Sequence, residues 1–333
     1  MRRYRELLTR VLGGESVEIC PVFCWKHHPE LDQNAGTLAA ATLAFQERFD
    51  CDLVKVSPAS TYQLRDYGLV DAWRNDPVGR RSVENVVVQT PEDWFGLPRL
   101  DPRTGFTGRL VEAVGLVRQA LPAEIPVTIT VFDPIFQAVT LAGLECLHEH
   151  MRLAPEAVMA GLDRILENSL DLIAVLRSEA IDGIFLASQQ ALLQAFSAEE
   201  YIGFGLPGDQ ACLAAAAGLP FNMVHLHGSA VHAALFQDVP GIMLHYDANP
   251  TNPRPDSLLA RGVGVSTGPS PTLLASDGPD AAVTAACEAL LESCKGRSFV
   301  LSPGCSVPLA VEAERLDAFI AAARTPRPDR AFQ

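Results

Sequence analysis

Lysine is scarce in this sequence. Lys26, Lys55 and Lys295 are the only lysines among 26 basic residues, which face 40 acidic ones for a formal charge of −14. Nucleic acids and anionic membrane surfaces are bound through a surplus of basic groups, so both are excluded as partners. No uninterrupted apolar run reaches the roughly 20 residues that span a bilayer. The N-terminus, MRRYRELLTRVLGGESVE, carries basic residues without the apolar stretch of a signal peptide. It reads as a short amphipathic helix ended by Gly13-Gly14. No CxxC pair occurs, and eight cysteines in 333 residues fall far below the density of a disulfide scaffold. Most of them, among them Cys51, Cys146, Cys212 and Cys287, sit in apolar runs and read as reduced, buried thiols of a cytoplasmic protein. The nucleotide-binding glycine patterns GxGxxG and GxxxxGK followed by Ser or Thr are missing too.

What is present is a well-stocked core, with 48% apolar and 20% charged residues. Short β-rich runs alternate with longer helical stretches. The candidate strands are Glu18–Phe23, Asp52–Ser57, Pro126–Phe132, Gly183–Ala187, Asn222–His227, Gly241–Tyr246, Gly262–Thr267 and Arg297–Ser302. Helical patterns lie at Gly36–Phe49, Phe106–Leu121, Pro155–Glu179, Asp209–Gly218 and Pro279–Lys295, the third with Val158, Leu162, Ile165, Leu166 and Leu170 on one stripe. Strand–helix alternation repeated about eight times predicts an α/β fold, a (β/α)₈ barrel with an N-terminal helical extension, as one domain over residues 1–333. The charged segment Gly68–Leu100, with a strand-like run at Val86–Gln89, is expected to cover the barrel mouth. The proline-rich tail after Thr325 is expected to fray.

Active sites of such barrels lie at the C-terminal ends of the strands. Of eight histidines, five (His27, His28, His225, His227 and His245) follow or end candidate strands. His225 and His227 stand at i and i+2 of an extended run, so both side chains leave one face, as two ligands of one tetrahedral metal require. Cys305, on a Ser-Pro-Gly turn after the last run, can supply a third ligand. His148 and His150 have the same spacing within a helical pattern, where the rings diverge.

Three stretches, FDCDLVKVSPASTYQLRDYG, the HLHG turn and above all GRSFVLSPGCSVPLAVEAERLDAFIAAAR, resemble the uroporphyrinogen decarboxylase superfamily. The pattern runs from about Tyr4 to Arg324. The resemblance implies a (β/α)₈ barrel, and it is closest to the zinc-dependent, cobalamin-linked methyltransferase branch. True uroporphyrinogen decarboxylases hold substrate carboxylates with arginines in the N-terminal loop, whereas PVFCWKHHPELD offers only Lys26, His27 and His28. The methyltransferase branch binds zinc through a His-x-Cys pair and a late cysteine. Carried over, His225 and Cys305 fill two of these places, and His227 stands where the family has its first cysteine. One cysteinate and two neutral histidines leave Zn²⁺ with a net +1. That lowers the pKa of a bound thiol or water further and leaves the anion less nucleophilic.

The resemblance thus implies a Zn²⁺ site at His225, His227 and Cys305. It also implies methyl transfer between a small thiol or methyl ether and a methylcobalamin or other corrinoid. The D-x-H-x-x-G signature of corrinoid modules is absent, so a separate corrinoid protein is the expected partner. Asp52 matches the decarboxylases' catalytic aspartate, and it would serve as proton relay in the alternative, a decarboxylase of a smaller acid. A non-catalytic ligand-binding barrel is the third reading. His245 and Asp247 are further catalytic candidates, and His27, His28 and Asp133 are substrate-binding ones. Asp247, Asp133 and His28 are candidates for the fourth metal position. Asp133 in VFDPIF equally fits an Asp-Pro turn opening a helix, and Asp247 in HYDANPTNP an Asx-turn. His245 alternates with Met243, so it lines the barrel or is simply packed. Lys55, inside a strand pattern, predicts a buried ion pair.

Overall fold

The computed structural model describes residues 4–326, so residues 327–333 of the proline-rich tail lie outside it. Nine strands form among the described residues: β1 (Val54–Val56), β2 (Asp71–Trp73), β3 (Arg81–Val83), β4 (Val127–Phe132), β5 (Gly183–Ser188), β6 (Asn222–Leu226), β7 (Ile242–Tyr246), β8 (Gly264–Thr267) and β9 (Phe299–Leu301). Seven of them make one parallel sheet in the order β1-β4-β5-β6-β7-β8-β9, and β2 and β3 make a separate antiparallel pair. Parallel strands are covered on both faces, so they carry unbroken apolar and β-branched runs. In β4, VTITVF, all six residues are buried.

The sheet curls into a ring that the chain's first extended segment closes. Val22 bridges Leu301 of β9 in parallel. Phe23 N donates to Leu301 O at 3.1 Å and Leu301 N to Pro21 O at 2.9 Å. On its other side, Asp52 N donates to Val22 O at 2.8 Å and Val22 N to Asp52 Oδ2 at 2.8 Å. The ring therefore has eight members, and the expected strand Glu18–Phe23 contracts to this bridge. Pro21 has no N–H to donate, which limits the ladder there.

Helices cover the outside at Ala35–Phe49, Gly105–Ala120, Pro155–Ser178, Leu206–Ala215, Asp280–Ser293 and Ala313–Arg324, with shorter ones between. The first has Asn34 as N-cap, accepting from Gly36 N at 2.9 Å and Thr37 N at 3.3 Å. The N-terminal helix Tyr4–Leu12 sits against the base of the ring. Arg5 Nη1 donates to Asp182 Oδ1 at 2.5 Å, and Asp182 Oδ2 accepts from Val127 N, the first residue of β4, at 2.8 Å. No helix among the described residues is long and apolar enough to cross a membrane.

Within Gly68–Leu100 the strand-like run Val86–Gln89 is not a strand. Val87 N and Val88 N both donate to Leu141 O, and the strands of this segment are β2 and β3 instead. The turn between them lies at the C-terminal end of the ring. Leu309 N donates to Pro77 O at 2.8 Å, and Gly79 (φ +83°) packs so closely on His27 that a Cβ would come within 2.7 Å of His27 Cβ. Arg65 and Arg81, paired with the buried Asp71, anchor the hairpin.

Asp52 lies at the other end of the ring, just before β1. It is fully buried, accepts from Val22 N and is ion-paired with Arg324 of the last helix. Expected as a proton relay, the Asp52 carboxylate ties the closing segment and the final helix to the base of the barrel. Replacing Arg324 by Met would leave that carboxylate buried without its cation. It should lower unfolding stability by about 3 kcal/mol in urea titration. Unaltered stability would contradict this structural role.

Candidate metal centre

β6 and β7 pair in parallel with Met223 beside Met243 and His225 beside His245. Cross-strand neighbours in such a ladder point to the same face. That face is the barrel interior, because it meets groups from distant parts of the ring. Phe185 of β5 stacks on His225 with ring centroids 5.2 Å apart, and Trp25 of the closing segment meets His245 at 5.1 Å and Phe185 at 5.2 Å. His227, two residues beyond His225, keeps the same direction and reaches the mouth half-buried.

The turn Ser302-Pro303-Gly304-Cys305 after β9 brings the thiol to these rings. Cys305 Sγ lies 3.8 Å from His225 Nε2 and 3.6 Å from His227 Nδ1. One donor atom of each residue lies within 4.8 Å of the others. Zn–N bonds of about 2.0–2.1 Å and Zn–S bonds of about 2.3 Å place N and S about 3.5 Å apart around a tetrahedral centre. The observed spacings fit that figure, and the donor set fits zinc by its chemistry. Neighbouring groups complete the setting. His225 Nδ1 lies 2.7 Å from His245 Nδ1, and His245 Nε2 lies 2.9 Å from the carbonyl oxygen of Pro303.

Electrostatics divides the three residues. Burial holds His225 well below the ordinary histidine value, and the neighbouring rings and Lys55 act in the same sense. Burial likewise takes His245 down to about 3. The hydrogen bond with Cys305 raises His227 against the effect of burial. Burial works to raise the Cys305 thiol, but the hydrogen bond and charge of His227, aided by Ser306, bring it below its usual value. The pair leans toward thiolate and imidazolium, and a metal ion would take the place of the shared proton.

Lys55 departs from expectation. Its ammonium finds no carboxylate partner among the described residues. It sits 4.7 Å from the Trp25 ring centroid and 4.5 Å from that of Phe185, and donates to Ser57 Oγ at 3.0 Å. The aromatic faces take the place of the counter-ion, and burial lowers its pKa to about 7 against the opposing charge of Cys305.

The remaining sequence candidates scatter. Asp247 is half-buried beside the cysteine turn, where a Cβ on Gly304 would come within 2.6 Å of its Oδ1. Burial raises its carboxyl, opposed by Asn249. His27 stands at the mouth with Nδ1 3.2 Å from Pro58 O; burial and then Lys55 lower it to about 4. His28 lines a recess with Thr42, Phe45 and Gln46 of the helix Ala35–Phe49, which Trp25 and Lys55 also border. Asp133 is fully buried and caps the helix Pro134–Ala142 by accepting from Phe136 N at 3.2 Å; its other oxygen accepts from Tyr201 Oη at 3.3 Å. Neither His28 nor Asp133 is among the three residues whose donor atoms gather at the mouth. Sequence reasoning missed Phe185, whose position on an apolar strand carries no signal. It also missed the carbonyl of Pro303, a backbone atom with no signature of its own.

A family model described as "Uroporphyrinogen decarboxylase (URO-D)" matches residues 4–326. No curated protein matches the chain significantly. A solved structure titled "methyltransferase from Methanosarcina mazei" aligns with a TM-score of 0.82 at 17% identity, covering 96% of this chain and 98% of its own. A B12-independent methionine synthase from Shewanella sp. W3-18-1, in complex with selenomethionine, aligns with a TM-score of 0.58 at 15% identity, covering 93% and 94%. Both likenesses are likenesses of fold.

Tyr201 Oη also donates to Asp209 Oδ2 at 2.6 Å, so Asp133 and Asp209 form a fully enclosed acid pair. Burial raises Asp209 to about 7, far above its value in an unfolded chain. The folded protein then keeps a proton that the unfolded chain releases above pH ~4, so stability is lost as pH rises from there through about 7. Asp209→Asn should remove that loss. It should be more stable than the parent at pH 8 and gain less at pH 5, read by urea unfolding at both values. An unchanged pH slope would contradict the shared burial of the two acids.

Proposed function

The chain belongs to the uroporphyrinogen decarboxylase family, and within it we propose a zinc-dependent methyltransferase. It moves a methyl group between a small thiol or methyl ether and a corrinoid cofactor carried by a partner protein. The observation that carries this reading is the approach of one donor atom each from His225, His227 and Cys305 to within 4.8 Å of one another. Two imidazoles and a thiolate give zinc three ligands and leave its fourth position for the reacting molecule. Bound there, zinc supplies Lewis-acid polarisation of the sulfur or oxygen that gains or loses the methyl group. The fold likeness to a structure titled a methyltransferase favours transfer over other reactions of the family.

The chain's own residues prepare that position. Trp25 and Phe185 floor the site with packed rings that exclude water. Lys55 holds its amine beneath the Cys305 turn, where a protonated state favours the thiolate. Asp247, next to Gly304 and raised by burial, is the group at the mouth suited to hold a proton exchanged with the substrate. His27 stands at the rim for contact with the incoming molecule. Decarboxylation of a polycarboxylate is less well served. Asp52 is engaged by Arg324, while Arg65 and Arg81 are engaged by Asp71 and Arg80 by Asp76.

Protein purified without a metal-affinity tag should contain about one zinc ion per chain by elemental analysis, and His225→Ala and Cys305→Ala should each lose it while remaining folded. The absorbance change of methylcobalamin should report demethylation with at least one member of a panel of thiols, and both variants should abolish it. Methylcobalamin left intact by every thiol, together with cob(I)alamin left unmethylated by every methoxylated compound, in a zinc-replete protein, would contradict methyl transfer. Turnover by a zinc-free chain would contradict the role of the metal.

A further inference from the structure

We infer that His245 is a positioning residue, one that fixes the tautomer of His225 so that its Nε2 lone pair faces Cys305. The inference rests on the reading of His225, His227 and Cys305 as metal-holding residues and adds the device that orients the first of them. It starts from an atom that has no choice. The Pro303 carbonyl oxygen only accepts, so the 2.9 Å contact with His245 Nε2 requires the proton on that nitrogen. A neutral imidazole has one such proton, and His245 Nδ1 is therefore a bare acceptor. The 2.7 Å contact between His245 Nδ1 and His225 Nδ1 then requires the proton on the His225 side. His225 Nε2 is left bare, and it is the nitrogen that lies 3.8 Å from Cys305 Sγ.

Packing keeps the chain of contacts in place. Both histidines are nearly inaccessible, with relative exposures of 3% and 0%. Phe185 stacks on His225 with an interplanar angle of 28°, and Trp25 meets His245 edge-on at 64°. Moving the proton to the other nitrogen of either ring alone would set two lone pairs or two N–H groups against each other across the buried 2.7 Å contact. The anchor also sits on the turn that carries Cys305, two residues away. A single backbone segment thus presents the sulfur directly and the His225 nitrogen through two hydrogen bonds, so both donors move together. Metal-ligating histidines elsewhere commonly donate their second N–H to a carboxylate or a backbone carbonyl. Here a second imidazole relays a carbonyl's demand.

The test uses the metal-free full chain labelled with ¹⁵N-histidine, and long-range ¹H–¹⁵N correlation spectra at neutral pH. The expected spectrum has His225 protonated on Nδ1 with a bare Nε2, and His245 protonated on Nε2. Finding His225 protonated on Nε2, or either ring carrying two protons, overturns the inference whether or not any variant folds. His245→Phe should let His225 populate both tautomers and weaken zinc affinity about 10- to 100-fold in chelator competition. His245→Gln, which still accepts and donates, should recover part of that loss. Wild-type affinity in a folded His245→Phe also overturns it. Neither readout involves methyl transfer, so the expected spectra in a protein that transfers no methyl group would count against the proposed function alone.

Discussion

Everything proposed for the mouth of this barrel depends on ring closure. Cys305 lies 80 residues from His225 and 78 from His227 along the chain, and only the curl of a parallel sheet brings β9 round to face β6. Closure in turn hangs on a few hydrogen bonds at Val22, which is held by Leu301 on one side and by both the backbone and the side chain of Asp52 on the other. The base of the ring is therefore a polar clamp of Asp52, Arg324, Arg5 and Asp182, while the mouth is free to carry chemistry. This separation is the usual division of labour in (β/α)₈ folds, where one end supplies stability and the other the site.

The electrostatic design of the mouth runs counter to that of the whole chain. The protein carries an excess of acid, yet the interior layer beneath His227 and Cys305 contains Lys55, His225 and His245. Burial keeps the two histidines neutral, which suits them to present lone pairs and not charge. The Cys305–His227 couple sits higher, at the boundary with solvent, and leans toward charge separation. There the hydrogen bond between the two lowers the thiol and raises the imidazole, which eases loss of the thiol proton. Aromatic packing around these rings restricts their motion, so a ligand set drawn from the end of β6 and the turn after β9 is held near its binding geometry in advance.

Much of this was legible in the sequence. All eight ring members were recognisable from short β-rich runs, and five of the six long outer helices from helical patterns, because parallel barrels bury both strand faces and one helix face; the last helix, Ala313–Arg324, was not read. The H-x-H spacing and the Ser-Pro-Gly-Cys turn pointed to the trio, since strand alternation fixes the direction of side chains. Legibility failed where long-range partners decide a residue's role. Asp52 and Asp133 look alike in sequence, as acids next to apolar runs, but one is claimed by Arg324 from the far end of the chain and the other by Tyr201 and its own helix. Lys55 was readable as a buried cation, and the absence of its counter-ion was not, because aromatic rings from β5 and the closing segment fill that place.

The account stands on three side chains sharing one ion, and X-ray absorption at the zinc edge reads that arrangement most directly. The zinc-loaded protein should show one sulfur scatterer at about 2.3 Å together with two imidazole nitrogens at about 2.0–2.1 Å, and the sulfur signal should vanish in Cys305→Ser. A spectrum without sulfur, or one without the imidazole multiple-scattering pattern, would contradict it.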